Sequence, residues 1–397
     1  MISVEQAFAI LSTQMPRWTN SEVRLGELSS APTVEDLRAD RDYPPFHRVM
    51  MDGVAVSFET YESGRREFII AGVCAAGQPQ GELINSDQCL EVMTGAPLPT
   101  GADLIVQYEH LKIADGVARI VVEDERERFD SVHERGSDCA RGDILVPAGV
   151  LLNGPHWGIA ASIGYNKVAI GGRPRIQIIS TGDELVEVEH LPLEHQIRRS
   201  NAHALRASLQ LYGFGDIELA QLADNESVIR GHYQEASARF DLLIYSGGVS
   251  KGKFDYLPSV WKAMGVEEHF HGVSQRPGKP LWFGVDAKTS TAVVGLPGNP
   301  VSSLVCLHRY VLEHFGTGRA VYARLASPLK FSAPLTWFVP VKTHYESDGA
   351  FVATPLAIQN SGEFSALAGS DGFVELPLGG SPFAAGAAFR FFNWGRL

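Results

Sequence analysis

A glycine-rich segment, residues 247–255 (Gly-Gly-Val-Ser-Lys-Gly-Lys-Phe-Asp), combines a flexible backbone with a hydroxyl, two lysines and a carboxylate. Glycine lets main-chain N–H groups approach an anion closely. A neighbouring carboxylate can hold a divalent cation against a phosphate. These residue types at this spacing therefore predict a site for a phosphorylated or anionic ligand together with a metal.

Three further segments carry complementary chemistry. Residues 180–184 (Ser-Thr-Gly-Asp-Glu) contain both hydroxyls and carboxylates. Residues 276–280 (Arg-Pro-Gly-Lys-Pro) are predicted to form a basic loop stiffened by proline. Residues 296–302 (Leu-Pro-Gly-Asn-Pro-Val-Ser) are predicted to begin a helix. We expect the basic side chains and the N-terminus of that helix to face a polyanion. Glu184 and Asp255 would supply oxygen ligands for Mg²⁺.

The elements that must position these segments alternate between strands and helices. Apolar runs predict strands at residues 176–180, 241–245 and 291–294, and helix caps predict helices at residues 200–212 and 224–239. This alternation predicts a parallel sheet with helices on its faces. Because parallel strands end at one edge of a sheet, three of the four segments should meet there.

The remainder of the chain is predicted to be rich in β-structure. Ser3 and Gln6 form a capping-box pattern that opens a helix through about Met15, and residues 20–50 resemble an irregular connection. Residues 55–148 and 327–397 contain short apolar runs between Gly, Pro and Asp turns, which predict a β-rich module and a small C-terminal β domain. The predicted fold class is therefore α/β plus β, with several domains.

Composition narrows the functional classes. The 397 residues carry a net charge of -12, which argues against general nucleic-acid binding and against a polybasic membrane anchor. The four cysteines form no CxxC pair and match no zinc spacing, which favours reduced thiols in a cytoplasmic protein. We expect neither a signal peptide nor a membrane span, since Glu5 interrupts the first apolar run and no apolar stretch approaches about 18 residues.

Taken alone, each motif also has a structural explanation. Residues 181–183 can be a turn with a helix cap, Asp224 can cap a helix, and Lys251 and Lys253 can be solvated loop charges. His269 and His271 share one face of a predicted strand, but two imidazoles without a third ligand are more often surface residues.

Taken in order, the segments are similar to the molybdopterin molybdenumtransferase family, which is related to the E domain of gephyrin. The resemblance covers nearly the whole chain and rests on residues 44–46, 51–53, 93–96, 101–103, 142–143, 180–185, 246–250 with Asp255, 277–280 and 296–302.

The resemblance implies an elongated subunit that forms a homodimer. Its parts would be an N-terminal and linking domain (1–44 with 145–172), a β-rich domain (45–144), an α/β molybdopterin-binding domain (173–320) and a C-terminal β domain (326–397). The implied reaction inserts molybdenum from molybdate into adenylylated molybdopterin with Mg²⁺ assisting, so that AMP is released and molybdenum cofactor forms. A molybdopterin adenylyltransferase is a candidate partner.

The resemblance also implies residue roles. Asp52 and Thr94 would reach across the dimer, while Glu184, Asp224 and Asp255 would line the pterin nucleotide, with Glu184 and Asp255 as the metal ligands. Ser250, Lys279 and Ser302 would hold molybdate or the pyrophosphate. The full set of expected substrate-binding residues is Ser180, Thr181, Gly182, Gly247, Gly248, Ser250, Arg276, Lys279, Pro297, Asn299, Pro300, Ser302, Lys342 and Ser361.

Several positions depart from the family pattern. Arg199 stands where an acid is often found, Lys251 where a small apolar residue is common, and Arg276 where a lysine is common. The first strand of the last domain, which usually carries arginines, offers only Lys342. Two alternatives therefore stay open, namely a molybdopterin-binding scaffold and a hydrolase that cleaves the pterin adenylate without inserting metal.

Overall fold

Two compact parts make up the chain. The computed structural model describes residues 1–25, 27, 31–122, 124–250, 255–316, 320–357 and 362–395. The larger part comprises Met1–Val23, Glu27–Pro32 and Ala169–Leu397, and the smaller part comprises Arg24–Gly26 and Thr33–Val168. No helix in the described ranges has the length and apolar character needed to cross a membrane. The strands Ser21–Arg24 and Lys167–Ile170 lie where the chain passes from one part to the other.

The smaller part is built around a six-stranded sheet, which confirms the predicted β-rich module. Successive side chains of a strand point to opposite faces, so Val54 and Leu104 pack in one apolar cluster while Ala55 and Ile105 pack in another on the other face. The strands, in sheet order, are Leu104–Gln107, Gly53–Val56, Gln88–Val92, Glu67–Cys74, Val117–Ile120 and Leu111–Ala114.

Shorter elements complete the smaller part. The stretch predicted to be irregular contains short strands, because Leu37–Arg38 and Arg48–Val49 each pair with a distant segment. These additional elements are the strands Leu37–Arg38, Arg48–Val49, Val132–His133 and Ile144–Val146, the helices Phe58–Glu62 and Gly154–Ser162, and a 3-10 turn at Tyr108–His110.

The larger part contains the predicted parallel sheet. Four neighbouring strands run parallel, and two further strands, which the sequence did not predict as antiparallel, extend one edge. The strands, in sheet order, are Ile217–Leu222, Ile176–Thr181, Leu242–Ser246, Thr291–Leu296, Trp282–Asp286 and Val266–His271.

Both faces of this sheet are buried beneath helices. Ile178 and Ile244 belong to the apolar cluster on one face, whereas Ile179 and Leu243 belong to the cluster on the other. This arrangement explains the continuous apolar runs in the sequence. The helices are Val4–Gln14, Asn201–Leu211, Glu226–Arg239, Leu257–Met264 and Pro300–Cys306, the last followed by a π-helical segment, Leu307–Leu312.

The first helix begins with the predicted capping box, in which Ser3 and Gln6 bond each other's main-chain N–H groups. Its residues Val4, Ala7 and Leu11 are buried in the same cluster as the sheet. The helix therefore contributes to the core of the larger part, and the division into four domains stays a prediction.

The C-terminal region is a closed β-structure. Thr336–Tyr345 pairs with both Phe351–Pro355 and Gly372–Leu376, so the ring of strands has no free end. The short strand Gln275–Arg276 adds to the same sheet and joins it to the α/β region. The ring contains Val321–Leu325, Thr336–Tyr345, Phe351–Pro355, Gly372–Leu376 and Ala388–Asn393, with a 3-10 helix at Phe364–Gly369.

Candidate active site

The carboxyl ends of three adjacent parallel strands open into one cleft. Ile176–Thr181, Leu242–Ser246 and Thr291–Leu296 are neighbours in the sheet, which confirms that three of the predicted segments share an edge. The cleft has a volume of about 880 Å³. Its lining includes Ser180, Thr181, Gly182, Glu184, Arg198, Arg199, Asn201, Asp224, Ser246, Gly247, Gly248, Ser250, Asp255, Pro280, Pro297, Gly298, Asn299, Pro300, Gly362 and Phe364.

The turn after the central strand requires glycine. Gly247 has φ +100°, and a Cβ there would lie 2.9 Å from the carbonyl oxygen of Thr181. Gly248 has φ +65°, and its Cβ would lie 2.9 Å from both Thr181 Oγ1 and Leu257 Cδ1. Because these two positions carry no side chain, the main chain of this turn can approach a ligand and the neighbouring strand end more closely than it could with any other residue there.

An asparagine that sequence reasoning treated only as part of a helix cap ties two strand ends together. Asn201 Nδ2 donates to Ser246 Oγ at 2.9 Å and to the carbonyl oxygen of Gly298 at 2.7 Å. The side chain of Ser200, at the N-cap position, makes no capping hydrogen bond. Asn201 therefore fixes the spacing between two loops of the cleft.

Two hydroxyls of the cleft are buried and lack hydrogen-bond partners. Ser180 Oγ and Thr181 Oγ1 each make no hydrogen bond within the described part of the chain, although both residues are at least nine-tenths buried. Since buried polar groups in proteins are nearly always paired, these hydroxyls are suited to bind a ligand.

Acidic residues cluster at the cleft. The main-chain N–H of Asp224 donates to Asp183 Oδ1 at 3.2 Å. Burial, followed by the charges of Asp183, Glu184 and Asp255, raises the pKa of the Asp224 carboxyl above its ordinary value. Asn225, rather than Asp224, caps the helix Glu226–Arg239 with its side chain. The mutual repulsion within this cluster is of the kind that a divalent cation would relieve.

Arg198 and Arg199 bring positive charge to the lining of the cleft. The short parallel strands Leu185–Val186 and Ile197–Arg198 pair with each other. Arg199 directly follows the second strand and is buried against Glu187. The sequence marked Arg199 only as a departure from the family pattern. Its place in the cleft depends on this strand pair, whose two-residue strands give no clear periodic signal.

The basic loop 276–280 lies on a buried support. Tyr310 Oη donates to Gln275 Oε1, and Gln275 Nε2 donates to the carbonyl oxygen of Pro277 at 3.1 Å and to Cys306 Sγ at 3.4 Å. Gln275, Cys306 and Tyr310 are fully buried. The loop is therefore held from beneath, a role for Gln275 that sequence analysis did not identify.

Residues of the loop 276–280 line two different cavities. Pro280 lines the cleft, whereas Arg276 and Pro277 line a second cavity of about 510 Å³ that also includes Trp337 and Pro340. Lys279 is exposed on the same loop. The structure thus separates Arg276 from the residues that line the cleft.

The other predicted residues have varied locations. Asn299 and Pro300 occupy the predicted N-cap and first positions of the helix Pro300–Cys306, while Ser302 is buried and does not line the cleft. Lys342 Nζ pairs with Asp371 Oδ1 at 2.7 Å. Lys251, Lys253 and Ser361 lie outside the described residues.

Asp52 and Thr94 form a local pair in the smaller part. Asp52 Oδ1 accepts hydrogen bonds from the main-chain N–H and from Oγ1 of Thr94, both at 2.7 Å. These donors hold the pKa of the exposed Asp52 carboxyl below its ordinary value. The structure thus brings together two residues that are 42 positions apart in the sequence.

Comparison with family profiles gives three matches in chain order. Residues 2–164 match the MoeA N-terminal region (domain I and II), residues 177–316 match a probable molybdopterin binding domain, and residues 322–394 match the MoeA C-terminal region (domain IV). Apart from Ile176, the three cleft strands and the loops that follow them lie within the second match.

Known relatives extend over the same length. The chain is 48% identical over 394 residues to a molybdopterin molybdenumtransferase of Synechocystis sp., covering 99% of this chain and 100% of the relative. It is 29% identical over 368 residues to a molybdopterin molybdenumtransferase of Bacillus subtilis, covering 89% and 84%. A crystal structure of the molybdopterin biosynthesis moeA protein of Pyrococcus horikoshii superimposes with a TM-score of 0.83 at 26% identity, covering 99% of both chains.

Proposed function

The chain belongs to the molybdopterin molybdenumtransferase family, and on that premise we propose that it inserts molybdenum from molybdate into adenylylated molybdopterin. The reaction releases AMP and forms molybdenum cofactor, with Mg²⁺ assisting. The observation that carries the proposal is the cleft at the ends of the parallel strands. Its glycine turn and unpartnered hydroxyls suit an anionic, nucleotide-linked ligand.

Glu184 and Asp255 would hold Mg²⁺, with Asp224 beside them. Across the described ranges, no three or more His, Cys, Asp or Glu side chains form a metal-binding group. Mg²⁺ does not need such a protein cage, because it commonly uses one or two carboxylates together with substrate phosphates and water. When bound, Mg²⁺ would neutralise charge on the pyrophosphate and make AMP a better leaving group.

The protein's own contribution is electrostatic and positional. The main chain at Gly247 and Gly248 would bind a phosphoryl group, and Ser180 and Thr181 would donate hydrogen bonds to the ligand. We assign no side-chain nucleophile. Holding molybdate next to the dithiolene sulfurs of the pterin would lower the entropic part of the barrier to the transfer.

Molybdate, the oxyanion, would be bound by residues other than Gly247 and Gly248. Ser250 and Lys279 would bind molybdate or the pyrophosphate, whereas Ser302, which the sequence grouped with them, is buried and does not line the cleft. The support beneath the loop 276–280 would keep Lys279 at a fixed position for this purpose.

We propose that the active protein is a cytoplasmic homodimer in which Asp52 and Thr94 of one copy complete the cleft of the other. Its four cysteines are all free, as is usual in a reducing compartment. A molybdopterin adenylyltransferase would supply the substrate.

The test measures AMP release from adenylylated molybdopterin with Mg²⁺, in the presence and absence of molybdate. Molybdate-dependent release with molybdenum recovered on the pterin supports transfer. Molybdate-independent release would indicate a hydrolase instead, and tight pterin binding without release would indicate a scaffold.

Carboxylate variants test the metal assignment. Glu184→Ala and Asp255→Ala should abolish Mg²⁺-dependent release, whereas Glu235→Ala, which removes an exposed carboxylate of the helix Glu226–Arg239, should leave it unchanged. Intact Mg²⁺-dependent release in Glu184→Ala and Asp255→Ala would contradict the assignment.

A further inference from the structure

Arg199 is a buried cation in the wall of the cleft. Its main-chain N–H donates to the carbonyl oxygen of Val186 at 2.9 Å, and the residue is only 8% exposed. Arginine is rarely buried to this degree unless its charge is paired. The position of Arg199 therefore needs an explanation in terms of the groups around its guanidinium.

Glu187 pairs with only one nitrogen, Nη2, of the Arg199 guanidinium. Arg199 Nη2 donates to Glu187 Oε2 at 3.1 Å, and the Glu187 side chain is 42% exposed. Arg199 Nε is buried and has no hydrogen-bond partner in the described part of the chain. An unpaired buried donor on a charged group is strongly unfavourable, so the site favours an additional acceptor, and the cleft is where a ligand could provide one.

The charges of the cleft indicate what that acceptor is. Glu184, Asp224 and Asp255 line the same cleft as Arg199 and would repel an anionic ligand, so a fixed positive charge in the lining is needed to hold one. The planar fork of arginine matches the oxygens of a phosphoryl group. Carboxylates that hold Mg²⁺ do so together with phosphates, which favours a phosphoryl group over molybdate.

We propose that Arg199, oriented by Glu187, binds a phosphoryl group of the ligand in the cleft and so selects for the phosphorylated substrate. This inference rests on the proposed function, because it names the residue that recognises the phosphate of that substrate. Glu187 acts only by positioning the guanidinium.

The experiment measures binding of ADP with Mg²⁺ by titration calorimetry to the full chain and to four variants. Arg199→Gln should bind ADP roughly 10- to 100-fold more weakly, which is the range for a lost charge-assisted hydrogen bond. Arg199→Lys should be intermediate, because it keeps the charge and loses the fork. Arg239→Gln, which removes an exposed arginine of a helix, should match the wild type.

Glu187→Gln separates binding from a structural role. It removes the charge of Glu187 but keeps an oxygen that can accept from Arg199 Nη2 and so orient the guanidinium, and its ADP affinity should therefore stay within about threefold of the wild type. Equal losses in Glu187→Gln and Arg199→Gln would overturn the proposal, since the ion pair would then matter only for the fold. If Arg199→Gln does not fold, the comparison of Arg199→Lys with Glu187→Gln gives the decision.

Other outcomes are equally informative. No ADP binding by the wild type, or a loss in Arg199→Gln confined to molybdate binding, would overturn the assignment to a phosphoryl group. Failure of the proposed function has a different signature, namely a wild type that binds ADP through Arg199 but shows no molybdate-dependent release of AMP.

Discussion

Gly278→Ala tests whether buried contacts beneath the loop 276–280 determine where Lys279 lies. Gly278 has φ +92°, and a Cβ there would lie 2.4 Å from Gln275 Nε2 and 2.5 Å from Cys306 Sγ. Gln275 and Cys306 are both fully buried. The substitution therefore combines backbone strain with a collision that neither neighbour can avoid by moving into solvent.

The expected loss of stability is the sum of two effects. Left-handed backbone costs a non-glycine residue about 1–2 kcal/mol, and overpacking a buried site costs about 1–3 kcal/mol. Gly278→Ala should therefore lower the free energy of unfolding by about 2–5 kcal/mol. Gly265 is a matched control, because its φ is +91° and nothing in the described ranges lies within 4 Å of its Cβ position. Gly265→Ala should lose only about 1–2 kcal/mol.

Urea denaturation gives the two stability losses, and the KM for molybdate in the AMP-release assay gives the functional effect. Gly278→Ala should raise that KM, because the loop must shift to accept the new methyl group, while Gly265→Ala should leave it unchanged. Cys306→Ala, added to Gly278→Ala, removes one colliding atom and should recover part of the stability. Equal losses in the two glycine variants would refute the steric reasoning, and an unchanged KM in folded Gly278→Ala would refute the link to Lys279.

Three further predictions follow from the titratable groups. Asp224→Asn should raise the free energy of unfolding at neutral pH while reducing AMP release, because the raised pKa of Asp224 means that its ionised form destabilises the fold. Denaturation at a series of pH values should show this gain in stability vanishing as the pH falls below the carboxyl pKa of the unfolded chain. Thr94→Val removes a donor that lowers the pKa of Asp52, so a carboxyl titration by NMR should move to higher pH, with Thr94→Ser unchanged. Burial raises the pKa of both Cys89 and Cys306 to about 12. At about pH 8, iodoacetamide should therefore label the two thiols only after denaturation, and mass spectrometry would detect the labels. Labelling of the native protein would contradict their burial.

Local sequence was sufficient to predict the central part of the fold. Continuous apolar runs such as residues 241–245 predict strands buried on both faces, and the helices between them require parallel connections. The adjacent glycines at Gly247 and Gly248 then predict a turn that other residues could not form. These features depend on interactions within a few residues or on a repeated pattern, so the sequence alone determined them.

The remaining features depend on contacts between residues far apart in the chain. Asn201 bonds Gly298 across 97 positions, Gln275 supports its loop through Cys306 and Tyr310, and Lys342 pairs with Asp371. No periodicity or capping rule encodes such a partner, since each pair forms only when separate elements pack together. The sequence therefore determined which chemical groups are available and which strands carry them, whereas the tertiary structure decided that Arg199 lines the cleft and Arg276 a second cavity.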